Sequence, residues 1–528
     1  MSTGGYDIVV IGAGHNGLTA AAYLARAKLG TLVVERRPVV GGCVVTEEIF
    51  PGYRINTASF EHVQIHWTPV LEELDLARFG LEYLEPDPAY LTILPEGRSL
   101  PIYRDVERTV EALALRSRRD ARAYREFHAF AQDVLAIVRP AYLAAPTPWG
   151  LVRRTAPAIV RRLDRVLRSS WLGQLLRVTT STCRQLVERL FETPEARLAL
   201  ALSPISAGLS PSAPGSAFMC LFHDLVHETG VKRPRGGSGM LTQALRRHLE
   251  HSGGTVLTGG AVTAIETERG AVRGVRLRDG TVIEARAVLS AIDPRTTLLS
   301  LLAPTDLPPR VLVAARAIRV ANGLSFKVDC SLRELPRYRL GSAADAGDAA
   351  VPMQFIAPSV EGVEAAYAEY AAGRVPREPA LMVATHTALD PSLAPPGRHT
   401  LLLETRYTPY RLRDGTAWTQ LREAEADRLL ALLARYAPNL AAAVDRRFIQ
   451  SPEDMEARFA LPSGHQNHCD MSADQMVLRR PLWACAAYRT PIRGCYLTGA
   501  GTHPGGGVSG APGRNAAMVM LRDLGADT

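Results

Sequence analysis

Two textures alternate along the chain, and the first appears at once. Tyr6-Asp-Ile-Val-Val-Ile11 is a short β-branched run, which predicts a buried parallel strand. Gly12-Ala13-Gly14-His15-Asn16-Gly17 interrupts it, and Leu18 to Ala27 is Ala-rich and apolar on more than one face, as a helix sandwiched between layers must be. Lys28-Leu29-Gly30 closes that helix, Thr31 to Val34 predicts a second strand, and Glu35 stands at its end. From 253 to 292, β-branched runs alternate with the turns Gly259-Gly260, Arg269-Gly270 and Asp279-Gly280, the pattern of a β-meander. Ala287 to Ile292 predicts the next buried strand. Near the C-terminus, Cys495 to Thr498 predicts a strand, a glycine-rich loop follows, and a helix runs from about Ala511 to Leu521.

The stretches between these segments read as two insertions. The first, about 61 to 230, is predicted to be largely helical. Within it, Ile159, Leu163, Val166, Leu167 and Trp171 fall on one face of a helix over 153–171, with Arg161, Arg162, Arg165 and Arg168 beside or opposite them. This reads as a substrate-domain helix with a solvated basic face; peripheral contact with an anionic membrane is the alternative. The second insertion, about 300 to 490, mixes apolar strands with Pro-rich loops and predicts helices at Ser359 to Gly373 and Thr419 to Tyr436. His465-Gln-Asn-His468-Cys469-Asp470 has no common metal-site spacing, so no metal is expected and the run reads as a loop lining the cavity.

The glycines carry the chemistry. In the spacing GxGxxG, Gly12 allows a tight turn, Gly14 lets the backbone approach a pyrophosphate, and Gly17 lets the helix pack closely on the strand. The helix N-terminus offers free N–H groups to the phosphates. Glu35, eighteen residues after Gly17, can accept hydrogen bonds from both ribose hydroxyls. Strand, turn, helix, strand and acid together predict a dinucleotide site. The glycine-rich loop from Gly499 and Gly501 to Gly507 and Val508 excludes side chains and exposes backbone N–H groups. The helix after it aims its N-terminus at the same place, suited to the N1–C2=O side of a reduced flavin. Both halves of one cofactor site would then lie almost five hundred residues apart.

Composition narrows the class. The chain has 528 residues, 47% hydrophobic and 22% charged, which is ordinary for a soluble globular protein of two or three domains. A net charge of +8 is mild over this length and does not call for nucleic acid. No apolar run reaches the roughly 18 residues of a spanning helix, and Met1 to Asp7 shows no secretory pattern, so a cytoplasmic protein is expected. Seven cysteines, at 43, 183, 220, 330, 469, 485 and 495, include no CxxC pair, which argues against a disulfide framework or zinc ribbon.

Gly12 to Gly17, the stretch from Glu35 to Gly42, and the terminal run from Gly499 to Ala517 resemble the phytoene-dehydrogenase-related flavoproteins. These form the carotenoid and retinoid oxidoreductase group of the amine-oxidase-like FAD superfamily. Gly236-Gly237-Ser-Gly-Met240, Asp474-Gln475 and Arg480-Pro481 match as well. Among subgroups, the similarity is greatest to the one named for pyridine nucleotide-disulfide oxidoreductase domain-containing protein 2. The resemblance implies FAD rather than NAD. The second glycine pair, Gly41-Gly42 after Arg36 and Arg37, lets another loop approach the diphosphate, with Thr46 where such loops often carry Thr, and the backbone of Val262 matches a position that contacts adenine. Several departures matter. Cys43 stands where such proteins usually have Arg, and Glu48 stands where a dithiol reductase has its second cysteine. No second GxGxxG provides for a nicotinamide. Gly52-Tyr-Arg-Ile-Asn-Thr-Ala-Ser59 lacks the usual desaturase pattern.

The resulting expectation is an α/β protein. A Rossmann-like, amine-oxidase-like FAD-binding domain is assembled from 1–60, 231–300 and 491–528, and a mixed α+β substrate domain from 61–230 and 301–490. The expected activity is an FAD-dependent dehydrogenase or desaturase moving hydride from a substrate C–H to flavin N5. An apolar isoprenoid- or lipid-like substrate is expected, with O2 or a quinone as acceptor. His503 is the candidate acid or base, with a structural loop histidine as its alternative. An amine or amino-acid oxidase and an FAD-holding regulator are the competing classes.

Overall fold

A computed structural model describes residues 5–341 and 351–526; Met1 to Gly4 of the N-terminal segment read above lie outside them. Five parallel strands lie side by side in the order Thr255–Thr258, Thr31–Glu35, Tyr6–Ile11, Val282–Ser290 and Cys495–Leu497. The side-chain alternation of a strand sorts their residues to two faces. Ile8, Val10 and Val33 pack with helices His15–Arg26, Met240–His251 and Ala511–Leu524. Val9, Ile11, Leu32 and Val34 face the antiparallel meander of Val262–Glu268 and Ala271–Leu277, joined by Leu298 and Val311. Val282–Ser290 belongs to both structures, since its first residues pair with the meander and those from Ala285 onward with Tyr6–Ile11. That dual membership is why it begins five residues before the apolar run that predicts it.

A second sheet of seven strands has the order Val444–Gln450, Ser325–Leu332, His399–Arg406, Leu381–Ala384, Met353–Ile356, Tyr90–Ile93 and Ser99–Ile102. The first insertion therefore supplies two neighbouring strands at one end of this sheet, Ser99–Ile102 at its edge, as well as helices. Helix Trp418–Ala434 covers one face through Phe326, Val328, Leu401, Leu403, Trp418 and Leu429. The opposite positions of Ser325–Leu332 are Lys327 and Asp329, each 1% exposed. Lys327 Nζ donates to the carbonyls of Asn56 (2.9 Å) and Ala58 (3.1 Å), and Gln450 Nε2 to that of Thr57 (2.7 Å). The polar face of the second sheet is thus fastened to the chain leaving the dinucleotide segment.

The single helix expected over 153–171 is corrected to three: Pro148–Val160, Leu163–Val166 and Ser169–Thr180. Asp133 on helix Arg118–Tyr142 draws in both Arg162 (3.4 Å) and Arg165 (2.6 Å), holding the short middle piece against the long helix. The predicted helices at 359–373 and 419–436 correspond to Val360–Ala371 and Trp418–Ala434.

Candidate flavin site

The glycine turn forms because strand Tyr6–Ile11 must hand its chain to a helix pressed against the same sheet. A Cβ on Gly17 would sit 2.2 Å from the Gly12 carbonyl oxygen and 3.0 Å from Ala291 Cβ, so only glycine lets the helix come this close. A Cβ on Gly14 would meet nothing within 4 Å; that face is open. Gly14 caps helix His15–Arg26 without a side-chain hydrogen bond, and its first N–H groups face the opening. Asn16 is buried beside Gly17.

Glu35 is 7% exposed and grips the turn. Its Oε2 accepts from Ala13 N and its Oε1 from Arg37 N, both at 2.9 Å. Each oxygen keeps lone pairs for further donors. Gly41 N donates to Ala13 O at 2.8 Å, and Gly41 bridges Gly14, so the second glycine pair, with Gly42, lies against the first turn. Arg36 reaches away, donating to the carbonyls of Ala457 (3.1 Å) and Arg458 (2.8 Å). Cys43 is half-buried beside Ala58 and Met455. Burial pushes its thiol up to about 12, and all seven cysteines are free. Cys183 and Cys220 do touch, Sγ to Sγ at 3.2 Å, a pairing their spacing of 37 conceals. Val262 follows a turn tied to the end of strand Thr31–Glu35 by Gly260 N to Glu35 O (3.0 Å) and Gly259 N to Arg37 O (3.0 Å).

The C-terminal loop lies against this cradle. His15 Nε2 is 3.3 Å from the Gly507 carbonyl. The two terminal helices cross where a Cβ on Gly513 would be 2.2 Å from Asn16 O. Val508 packs against the same core. Gly499 lies by Ala291 and Gly501 by Pro294 and His468. Side chains to which the sequence reading gave no individual role complete the surroundings: Gln64 against Gly507, Asn467 of the His465–Asp470 run against Gly506, and Met471 and Met476 against Gly505. Thr68 donates to Ser509 O at 3.0 Å. Arg480, fully buried, points backward, with Nη1 to Asp470 O (2.8 Å), Nη2 to Asn467 O (2.9 Å) and Nε to Ala500 O (3.1 Å). Its part in the resemblance marks its place in the sequence; nothing in the spacing reveals that it ties the loop from three sides.

His503 Nε2 lies 3.0 Å from Ala141 O, and its own carbonyl accepts from Tyr488 Oη at 2.7 Å. A carbonyl only accepts, so Nε2 carries the proton and Nδ1 is a bare acceptor. Burial pushes the imidazole down to about 4. His15 is likewise pushed down to about 4 by burial. Both rings are neutral at neutral pH.

FAD fits this arrangement. Asn16 Oδ1, Gln64 Oε1, Asn467 Nδ2, His468 Nδ1 and His503 Nδ1 are buried with no hydrogen-bond partner. They lie along the seam between the two loops, where an elongated polar molecule would satisfy them. In the short two-stranded pairing with Tyr83–Leu84, Arg233 is buried with none of its three guanidinium nitrogens partnered. Its neighbours include Glu61, whose carboxyl is pushed up by burial, and His386.

The buried histidines set a pH dependence. Burial pushes His223 and His465 down to about 3 and His503 to about 4. As pH falls below the ordinary value of about 6.5, the unfolded chain takes up these protons first, so stability is lost between about 6.5 and 4. Each imidazole contributes a slope of about 1.4 kcal/mol per pH unit in that window. Asp329, pushed up to about 6 by burial, acts in the opposite sense above about pH 4. Denaturant unfolding of the FAD-loaded protein at pH 7.5 and about 5 is expected to show the net loss on acidification; equal midpoints would contradict it.

The chain matches the model of the family described as flavin containing amine oxidoreductase over residues 17–521. It is 33% identical to pyridine nucleotide-disulfide oxidoreductase domain-containing protein 2 of Mus musculus, covering 98% of this chain and 94% of that one. A limonene dehydrogenase polypeptide of Castellaniella defragrans is 31% identical, with 98% and 95% covered. The lycopene-forming phytoene desaturase of a Paracoccus species is 26% identical, with 98% and 97% covered. The two glycine loops, the acid between them and these full-length matches agree: the chain belongs to the flavin-containing amine oxidoreductase family and is an FAD-dependent oxidoreductase.

Proposed function

We propose that the protein is a dehydrogenase of the desaturase type, acting on an apolar, isoprenoid- or lipid-like substrate, with O2 or a quinone as the final acceptor. The observation that carries this reading is the set of apolar and uncharged side chains that meets the 503–509 loop beside Gln64, Asn467 and Arg480. Met471 and Met476 approach Gly505, Trp67 and Tyr142 stack edge to face at 5.1 Å, and His15 and His503 are uncharged. The family relatives named for limonene and phytoene support it.

In this reading Glu35 accepts from the ribose, with Val262 beside the adenine. Gly12, Ala13, Gly14 and the N–H groups of His15, Asn16 and Gly17 bind the diphosphate with Gly41 and Gly42. Gly499, Gly501, Gly507 and Val508 frame the flavin ring, and the Ala511–Leu524 helix turns its N-terminus toward it. Bound FAD supplies the hydride acceptor. Trp67, Tyr142 and the two methionines exclude water and hold the donor carbon close. His503, anchored on Ala141 and Tyr488, fixes the loop and offers Nδ1 as a neutral acceptor.

A second reading, an amine or amino-acid oxidase, is favoured by the unpartnered Arg233 beside Glu61, which would suit a charged substrate. Anaerobic mixing with isoprenoids, fatty acyl chains, amines and peptides separates the two. The proposal expects the yellow colour to bleach with an isoprenoid or acyl chain and to persist with small amines. Bleaching by amines, with peroxide released in air, would replace it with the second reading.

A further inference from the structure

The Arg-rich segment of the first insertion presents a surface that the flavin site does not use. Helices Pro148–Val160 and Ser169–Thr180, joined by Leu163–Val166, leave large apolar side chains in solvent: Trp149 is 84% exposed, Leu167 68% and Leu176 65%. On the first helix, Trp149, Val152 and Val160, all exposed, fall within a stripe about 80° wide at 3.6 residues per turn. The buried Ala158 lies on the opposite side. On the last helix, Leu172 and Leu176 form an exposed i, i+4 pair, while Trp171 and Val178 turn inward to the core. Scattered exposed apolar residues need no explanation, but a run of them on consecutive helices marks an interaction surface.

The charge beside this surface is one-sided. Residues 148–180 contain seven arginines and one acid, Asp164. Asp133 is shared between Arg162 and Arg165, and Arg168 leans toward Asp164 at 4.0 Å. Arg153, Arg154 and Arg161 are exposed with no acid in reach among the described residues. At 3.6 residues per turn Arg153 flanks the apolar stripe, while Arg154 and Arg161 lie about 140–160° from its centre, away from the apolar face. Apolar side chains on a helix that also carries unpaired arginines complement an anionic lipid surface, where the first enter the acyl boundary and the charge draws the segment to the head groups. No helix among the described residues is long and apolar enough to cross a membrane, so contact would be in the interface plane.

The surface is also fixed to the flavin loop. Ala141 O lies 3.0 Å from His503 Nε2, and Tyr142 O accepts from Asn515 Nδ2 at 3.0 Å. Six residues after Tyr142 the exposed helix begins.

We propose that helices Pro148–Val160 to Ser169–Thr180 dock the protein on an anionic phospholipid bilayer through Trp149, Val152, Leu167 and Leu176, with Arg153, Arg154 and Arg161 supplying the electrostatic attraction to it. Such docking concerns binding, not turnover, and stands apart from the substrate reading above.

Flotation of the FAD-loaded full chain with vesicles tests it, using phosphatidylcholine alone or with about a third phosphatidylglycerol. Wild type is expected to float with the anionic vesicles and to be released by salt. The triple variant Arg153→Gln/Arg154→Gln/Arg161→Gln loses about fivefold per arginine, roughly a hundredfold in all. The variant Trp149→Ser/Leu167→Ser/Leu176→Ser loses at least about tenfold. Bound flavin and circular dichroism verify that both remain folded. Quenching of wild-type tryptophan fluorescence by brominated lipid, lost in Trp149→Phe, gives a second readout that needs neither triple variant. Failure of the wild type to float overturns the proposal, as does unchanged flotation of both folded variants. Retention on an acidic polypeptide without vesicle binding overturns it in favour of an acidic protein partner.

Discussion

Gly17→Ala is expected to yield protein without FAD and to lower stability by about 2–3 kcal/mol. The added methyl would lie 2.2 Å from the Gly12 carbonyl oxygen and 3.0 Å from Ala291 Cβ, both fixed by the parallel sheet. The helix must back away, and its N-terminal N–H groups leave the diphosphate with it. Gly14→Ala makes the instructive comparison. Its methyl enters open space, and Gly14 already has φ −68 and ψ 167, which alanine adopts without strain. Apo stability should therefore change by less than about 0.5 kcal/mol, while FAD retention falls because the methyl occupies the diphosphate's ground. Flavin absorbance per chain after gel filtration and thermal unfolding of apo protein read the two effects. If Gly17→Ala kept full occupancy, the close approach would not matter; if Gly14→Ala did, the open face would not be the phosphate site.

Glu35→Ala should weaken FAD binding by about a hundredfold to a thousandfold, since charge-assisted hydrogen bonds contribute about 1.5–3 kcal/mol each. The structure adds a second reason to the one visible in sequence. The Glu35 carboxylate also holds Ala13 N and Arg37 N, so its removal loosens the turn itself. Glu35→Gln keeps one acceptor oxygen and should recover part of the loss. Titration of apo protein with FAD, followed by flavin fluorescence, separates the three proteins. Equal affinity for wild type and Glu35→Ala would remove this residue from the site.

The chain announces its cofactor at its ends because there the constraint is on backbone. GxGxxG, the acid after the second strand and the terminal glycines are local demands of turns and close approaches, and they survive in a one-dimensional reading. The parallel sheet follows from the same segments, as do the helices at 360–371 and 418–434. What stayed hidden depends on tertiary placement. Gln64 and Asn467 reach the flavin loop only because two insertions fold back on it. Strands Tyr90–Ile93 and Ser99–Ile102 leave the helical insertion to extend the second sheet, a pairing no short-range pattern encodes. The 153–171 helix is three pieces, and Asp133, some thirty residues upstream, holds two of its arginines. Lys327 and Asp329 sit in a strand whose alternation is plain, but a buried lysine is explained only by the carbonyls of Asn56 and Ala58.

Strand Cys495–Leu497 pairs with Val288 to Ser290, and the flavin loop follows directly after it. At the usual elongation rate, the ribosome needs about 24–96 seconds to travel from Gly17 to Cys495. Through that interval the nascent dinucleotide turn has no opposing wall, and one edge of its central sheet lies bare. Cofactor capture is therefore a late event in biogenesis, and that edge stays bare until Cys495–Leu497 has emerged to cover it.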